Sequence, residues 1–192
     1  MMRIIAFNGS PRKNGSTQIL IETVLKPLKD AGAEIKIIQA GGSGIKPCTG
    51  CRGCYKNKNR KCVQNDILNT FTEDAWNADA VIIASPAYFA NSTPEIRALV
   101  DRIGYVSRAN GGLLRHKAGA AISAVRRAGA ETTLDSIQKL FFISDMYAVG
   151  SSYWNLAFGR EPGEVLKDEE GMQTMKNLGE NMLHLLTQLK KK

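Results

Sequence analysis

Apolar residues along this chain gather in short unbroken runs, separated by stretches where they recur every three or four positions. Residues 3–7 (RIIAF), Glu34–Gln39 (EIKIIQ), residues 79–85 (DAVIIAS) and Ala118–Val125 (AGAAISAV) are such runs, and a shorter one lies at 146–149. Unbroken apolar runs of this length suit strands covered on both faces. Leu20, Val24, Leu28 and Ala31 recur instead at helical spacing, as do Ile96, Leu99, Val100 and Ile103. Near the C-terminus Met172, Met175, Leu178, Met182 and Leu186 do the same. Those methionines read as core filler.

Local signals bound the helices. Ser16 and Thr17 offer hydroxyl caps for the first helix and Gly32 stops it; Pro27 is expected to kink its last turn or end it early. Further helices are expected from Asp66 to about Trp76, from Thr93-Pro94-Glu95 onward, over 132–143, and over about 170–190. Strands alternating with helices predict an α/β fold, a parallel sheet with helices on both faces. With no repeat and no linker, residues 1–192 read as a single domain. Ligands of such sheets sit at the carboxyl ends of the strands, where strand order reverses. The loops after the first, third and fourth strands are therefore the places to look.

The first of these loops holds Ser10, Arg12, Asn14, Ser16 and Thr17 before a helix. A helix N-terminus with free N–H groups is an anion site. There is no Walker lysine, so a monophosphate held by hydroxyl, amide and guanidinium donors suits the loop better than a triphosphate. A well-capped helix after a polar turn is the plainer alternative. The second loop, Pro86, Ala87, Tyr88, Phe89 and Ala90, sets two aromatics where they could flank a flat ring. In the third, Val125, Arg126, Arg127, Ala128 and Gly129 combine close backbone approach with charge suited to phosphate or an anionic ring. The dinucleotide pattern G-x-G-x-x-G is absent from the first loop.

All four cysteines lie in one long loop, residues 41–65, as C-x2-C-x2-C-x7-C at Cys48, Cys51, Cys54 and Cys62. Three cysteines at successive intervals of three resemble the spacing that grips a ferredoxin-type cluster, whereas structural zinc favours two separated pairs. Three readings stay open for the loop: a [4Fe–4S] cluster, free or redox-active thiols, and zinc.

Charge sharpens the picture. Lysine and arginine number 26 against 18 acids, a net +8. The excess is concentrated: residues 46–64 and 102–127 each carry six basic residues and no acid. Such blocks attract anions; the plainer alternative is solubility, together with the lysine tail at 190–192. No recognition-helix or zinc-finger pattern accompanies the charge, so nucleic acid is not the expected partner. A composition 43% hydrophobic and 23% charged excludes a disordered chain and a coiled coil. No apolar run reaches the roughly 18–20 residues of a membrane span, and the opening MMRIIAFNGS lacks a signal-peptide pattern. A cytoplasmic protein without a membrane partner is expected.

Taken together, FNGSPRKNGST, SPAYFANSTPEIRALVDR and AVRRAGAETTL resemble the flavodoxin-fold NAD(P)H-dependent FMN reductases. The cysteine loop running into Asp66 resembles that family's iron–sulfur flavoprotein branch. The resemblance implies a flavodoxin-like sheet of order 2-1-3-4-5, FMN as cofactor and a homodimer or homotetramer. It places Ser10, Arg12, Ser16 and Thr17 on the FMN phosphate. It places Pro86, Tyr88, Phe89 and Ala90 along the isoalloxazine, with residues 125–129 closing its other edge. The implied reaction passes electrons from NAD(P)H through FMN to a small acceptor: free flavin, a quinone, a nitroaromatic or a metal ion. The alternative is an electron carrier whose lysine-rich loop docks an acidic, ferredoxin-like partner. His116 and His184 form no triad or metal pattern. No catalytic acid or base is expected, because the flavin carries the chemistry.

Overall fold

The computed structural model describes residues 1–190, so Lys191 and Lys192 of the lysine tail lie outside the described residues. Strands β1 (Arg3–Asn8), β2 (Glu34–Gln39), β3 (Ala80–Pro86), β4 (Ala118–Val125) and β5 (Tyr147–Ala148) pair in parallel in the order β2-β1-β3-β4-β5. This is the flavodoxin-like order. Helices α1 (Ser16–Asp30), α2 (Gly53–Asn57), α3 (Leu68–Asn77), α4 (Pro94–Ala109), α5 (Ala130–Ile143) and α6 (Glu169–Leu189) connect and cover the strands.

The unbroken apolar runs follow from this layering. Along β1, Ile4 and Ala6 face a core shared with Leu20, Val24 and Leu28 of α1 and Met175, Leu178 and Met182 of α6. Ile5 and Phe7 face the opposite core, under Leu68 of α3, Ile96 and Leu99 of α4 and Leu134 of α5. Alternate residues thus enter different cores, and neither face can be polar. The α6 methionines Met175 and Met182 are fully buried and Met172 packs against them, as core filler should.

Four local expectations are corrected. Helix α1 continues through Pro27 to Asp30. The amide that proline lacks lies in the last turn, and its ring packs beside Gly179 of α6, where an added Cβ would meet Pro27 Cγ at 2.7 Å. Ser16 and Thr17 are not caps: Gly15 takes the cap position, and no side chain closes that end of the helix. Helix α3 starts at Leu68, two residues later than expected; Asp66 stands before it and its Oδ1 accepts from Leu68 N at 3.2 Å while the carboxylate also pairs with Arg102. The fifth strand is divided. β5 holds two residues beside the start of β4, and a further strand, β6 (Leu156–Phe158), pairs with its far end at Ser123, Ala124 and Val125. Between β5 and β6 the chain leaves the sheet and is tied to α6, where Asn181 Nδ2 donates to Gly150 O at 2.9 Å and Ser151 Oγ to Thr174 O at 2.6 Å.

Candidate functional site

The loops after β1, β3 and β4 meet in a cleft of about 220 Å³ at the carboxyl end of the sheet, where the strand order reverses between β1 and β3. Internal bonds fix the first loop. Asn8 Oδ1 accepts from Ser10 N at 2.9 Å, Ser10 Oγ from Arg12 N at 3.2 Å, and Gly9 O from the Thr93 hydroxyl at 2.9 Å. Gly9 is pressed so tightly on Ile96 and Ala84 that no side chain fits there. The chain is thereby turned into α1 with Ser16 and Thr17 as its first residues, whose N–H groups have no acceptor within the helix. Ser10, Arg12, Ser16 and Thr17 all line the cleft.

Opposite them stand Pro86, Ala87 and Tyr88, tied to the third loop's strand by Ala87 N donating to Ala124 O at 2.9 Å. Tyr88 and Asn91 exchange backbone hydrogen bonds of 2.8 and 3.1 Å, closing a tight turn with Phe89 and Ala90 at its tip. Both tip residues have positive φ, 47° and 57°, and Phe89 projects fully into solvent. Arg126 lines the cleft. Asn14, Phe89, Ala90, Arg127, Ala128 and Gly129 lie beyond its wall, and Val125 is buried beneath it.

Four wall residues escaped the sequence reading: Gly15, Ala124, and Gly159 and Arg160, which follow β6. Gly159 N donates to Val125 O at 2.9 Å. Glu164 Oε2 accepts from the N–H groups of Arg160 and Glu161 at 2.8 and 2.9 Å, and these bonds hold its carboxyl below the usual carboxylate range. Arg160 follows β6 along the cleft wall, its Nε 3.3 Å from Glu161 Oε1. The triplet Leu-Ala-Phe followed by Gly-Arg was the available signal. Arg12, Arg126 and Arg160 now surround hydroxyl and N–H donors, and no carboxylate lines the cleft among the described residues. This donor set fits one phosphate monoester.

The four cysteines come together around a second cavity of about 280 Å³, shared with Tyr55, Arg102 and Tyr105. The loop reaches this shape through left-handed residues, Gly50 (φ 67°), Arg52 (56°), Lys58 (48°) and Arg60 (63°), and through Gly53, where a side chain would collide with Val63. Its second half is held from outside. Asn69 accepts from Cys62 N at 2.8 Å and donates to Cys62 O at 3.0 Å. The Trp76 indole donates to Arg60 O at 3.2 Å, and Asn110 Oδ1 accepts from Arg60 N at 2.9 Å. Backbone and Thr49 hydrogen bonds lower the Cys51 pKa; burial raises that of Cys54. Among the described residues no three ligating side chains stand close enough for a single metal ion. All four cysteines line one cavity, and they do not form a single-ion site there.

Arg102 and Asp66 form the floor beside this cavity. Arg102 Nη1 meets Asp66 Oδ2 at 2.5 Å and Nη2 meets Oδ1 at 3.0 Å. Burial alone would raise the Asp66 pKa, but bonds from Arg102 and the Lys46 N–H, with the guanidinium charge, bring it below the ordinary value.

Residues 2–161 match the family model described as NADPH-dependent FMN reductase. The chain is 31% identical to an iron-sulfur flavoprotein of Methanocaldococcus jannaschii, over 99% of this chain and 100% of that protein. It is 30% identical to an iron-sulfur flavoprotein of Methanosarcina thermophila, over 99% and 98% of the two chains. Among solved structures, it resembles an apo NADH:FMN oxidoreductase (TM-score 0.66, 20% identity, 98% and 90% covered). It also resembles a flavodoxin from the domain Archaea (TM-score 0.62, 14% identity, 97% and 99% covered). At those identities the two structures share its fold.

Proposed function

The chain belongs to the NADPH-dependent FMN reductase family, and on that premise we propose that it is an FMN-dependent oxidoreductase. Its electrons come from NAD(P)H and go to a small acceptor such as free flavin, a quinone, a nitroaromatic or a metal ion. The observation that carries this reading is the cleft in which Ser10, Ser16, Thr17 and three arginines converge without a carboxylate. The donors suit a single phosphate, and with no dinucleotide fingerprint the group is FMN rather than FAD. Bound FMN supplies hydride acceptance and electron release. The chain's own part is to hold and orient: the start of α1 and the arginines anchor the phosphate, and the Pro86–Tyr88 backbone borders the ring.

A fluorescence-quenching titration tests the reading. The protein should bind FMN, and replacing Ser16 and Thr17 together by Ala should weaken binding at least about tenfold, since a hydrogen bond to a charged group contributes about 1.5–3 kcal/mol. Absence of FMN binding overturns the proposal.

The cysteine cavity favours a second role in the same protein, electron exchange with an acidic, ferredoxin-like partner. Cys48, Cys51, Cys54 and Cys62 would hold a [4Fe–4S] cluster, which supplies one-electron chemistry. The basic residues of the loop partly neutralise such an anionic group and would form the docking surface. Anaerobic reconstitution should give four irons per chain, lost in Cys51→Ala; stoichiometric zinc or no iron would leave a plain flavin reductase.

A further inference from the structure

Arg102 is 1% exposed, a rare burial for a cation. Its two terminal nitrogens are occupied: Nη1 donates to Asp66 and, at 3.0 Å, to the Lys46 carbonyl, and Nη2 donates to Asp66. Its Nε is also buried and has no hydrogen-bond partner within the described residues. A structural ion pair would leave no such donor idle, because an unpaired buried polar group is costly. The side chain lines the same cavity as Cys62. Asn69 grips the backbone of the same cysteine on both sides, so the sulfur is held in place.

We infer that Arg102 is a positioning residue for the cysteine site: its Nε–H, unpartnered within the protein alone, donates to the Cys62 sulfur when that sulfur acts as a ligand, orients it and sets the redox potential of the group it binds. Asp66 and the Lys46 carbonyl occupy the terminal fork, which leaves Nε as the free donor of the guanidinium. A cation and donor at a ligand sulfur stabilise the more negative, reduced state and therefore raise the potential. The inference rests on the cluster reading above.

The test is a dye-equilibrated redox titration of anaerobically reconstituted, FMN-loaded protein. Arg102→Lys keeps a cation for Asp66 and removes the Nε donor. At a fixed potential the reduced-to-oxidised ratio of the iron–sulfur signal should fall about tenfold, a lowering of about 59 mV for one electron, with the flavin couple unmoved. Asp66→Asn removes a negative charge and should leave the iron–sulfur potential unchanged or raise it. A purely structural pair would shift both variants alike, and that result, or an unmoved Arg102→Lys, overturns the inference. If Arg102→Lys binds FMN normally yet holds no iron, Asp66→Asn decides: iron retained supports the role, iron lost overturns it. Wild-type protein that takes up no iron overturns the cluster reading, and this inference with it.

Discussion

Gly129 rests directly on Ala90: a Cβ on the glycine would stand 2.5 Å from the alanine Cα and 2.9 Å from its Cβ. Gly129 has φ of +88°, and Ala90 is itself left-handed at 57°. Two loops from different strands thus hold each other in conformations that neither would prefer alone. The contact braces the turn whose near end, Tyr88, walls the cleft.

Gly129→Ala should therefore cost stability twice, by its left-handed backbone and by the collision. The backbone part alone is on the order of 1–3 kcal/mol, which lowers the melting temperature by at least about 2 °C in a chain of this size. FMN affinity should fall with it. Calorimetry showing an unchanged melting temperature would mean the two loops do not touch.

Arg160→Ala removes a guanidinium from the anion end while leaving the Glu164 clamp, which binds backbone N–H groups, in place. FMN should bind about tenfold more weakly, with riboflavin, which has no phosphate, bound as before. Equal losses for both ligands would show that Arg160 does not serve the phosphate.

Asp66 makes stability depend on acid. Its folded pKa lies below the ordinary value of about 3.9. Folding therefore favours the carboxylate, and the contribution is complete above that pH and vanishes as pH falls through the folded pKa. Urea midpoints measured between pH 2 and 7 should drop at the acid end. Asp66→Asn should flatten that part of the curve and, by stranding Arg102, cost about 3–5 kcal/mol at neutral pH. An unaltered acid limb in the variant would contradict the assignment.

A second chain is expected to complete the flavin site. The cleft of about 220 Å³ is smaller than the roughly 300–1,000 Å³ usual for small-molecule pockets. Phe89, Trp154 and Phe158 are exposed aromatics. A homodimer or a dimer of dimers should complete the pocket. Light scattering of the FMN-loaded protein should give a multiple of the chain mass; a monomer would rule this out.

The order of the segments was legible because β1, β3 and β4 are buried on both faces, so their apolar runs are unbroken. The first loop was legible for a related reason: Ser16 and Thr17 open a helix, where local sequence decides geometry. Arg160 was not, because β6 is three residues long and gains its place only by pairing with β4. Arg102 was hidden for another reason. It sits on α4 beside the apolar stripe, and its partner Asp66 is 36 positions away. Asp66 read as a helix start because a carboxylate before an apolar run commonly caps one; it does accept from Leu68 N, and its second role, the long-range pairing with Arg102, left no local signal.

Asn69, Trp76 and Asn110 fasten residues 60–62 to α3 and to the end of α4 by bonds within the protein alone. The ordering entropy of that half of the loop is therefore lost when the chain folds, not when the cavity is filled. Filling it is the docking of a guest into a finished receptacle, unlike a zinc finger, which folds around its ion. Chelators that strip a reconstituted cluster from this site should leave the sheet, the helices and the flavin cleft standing.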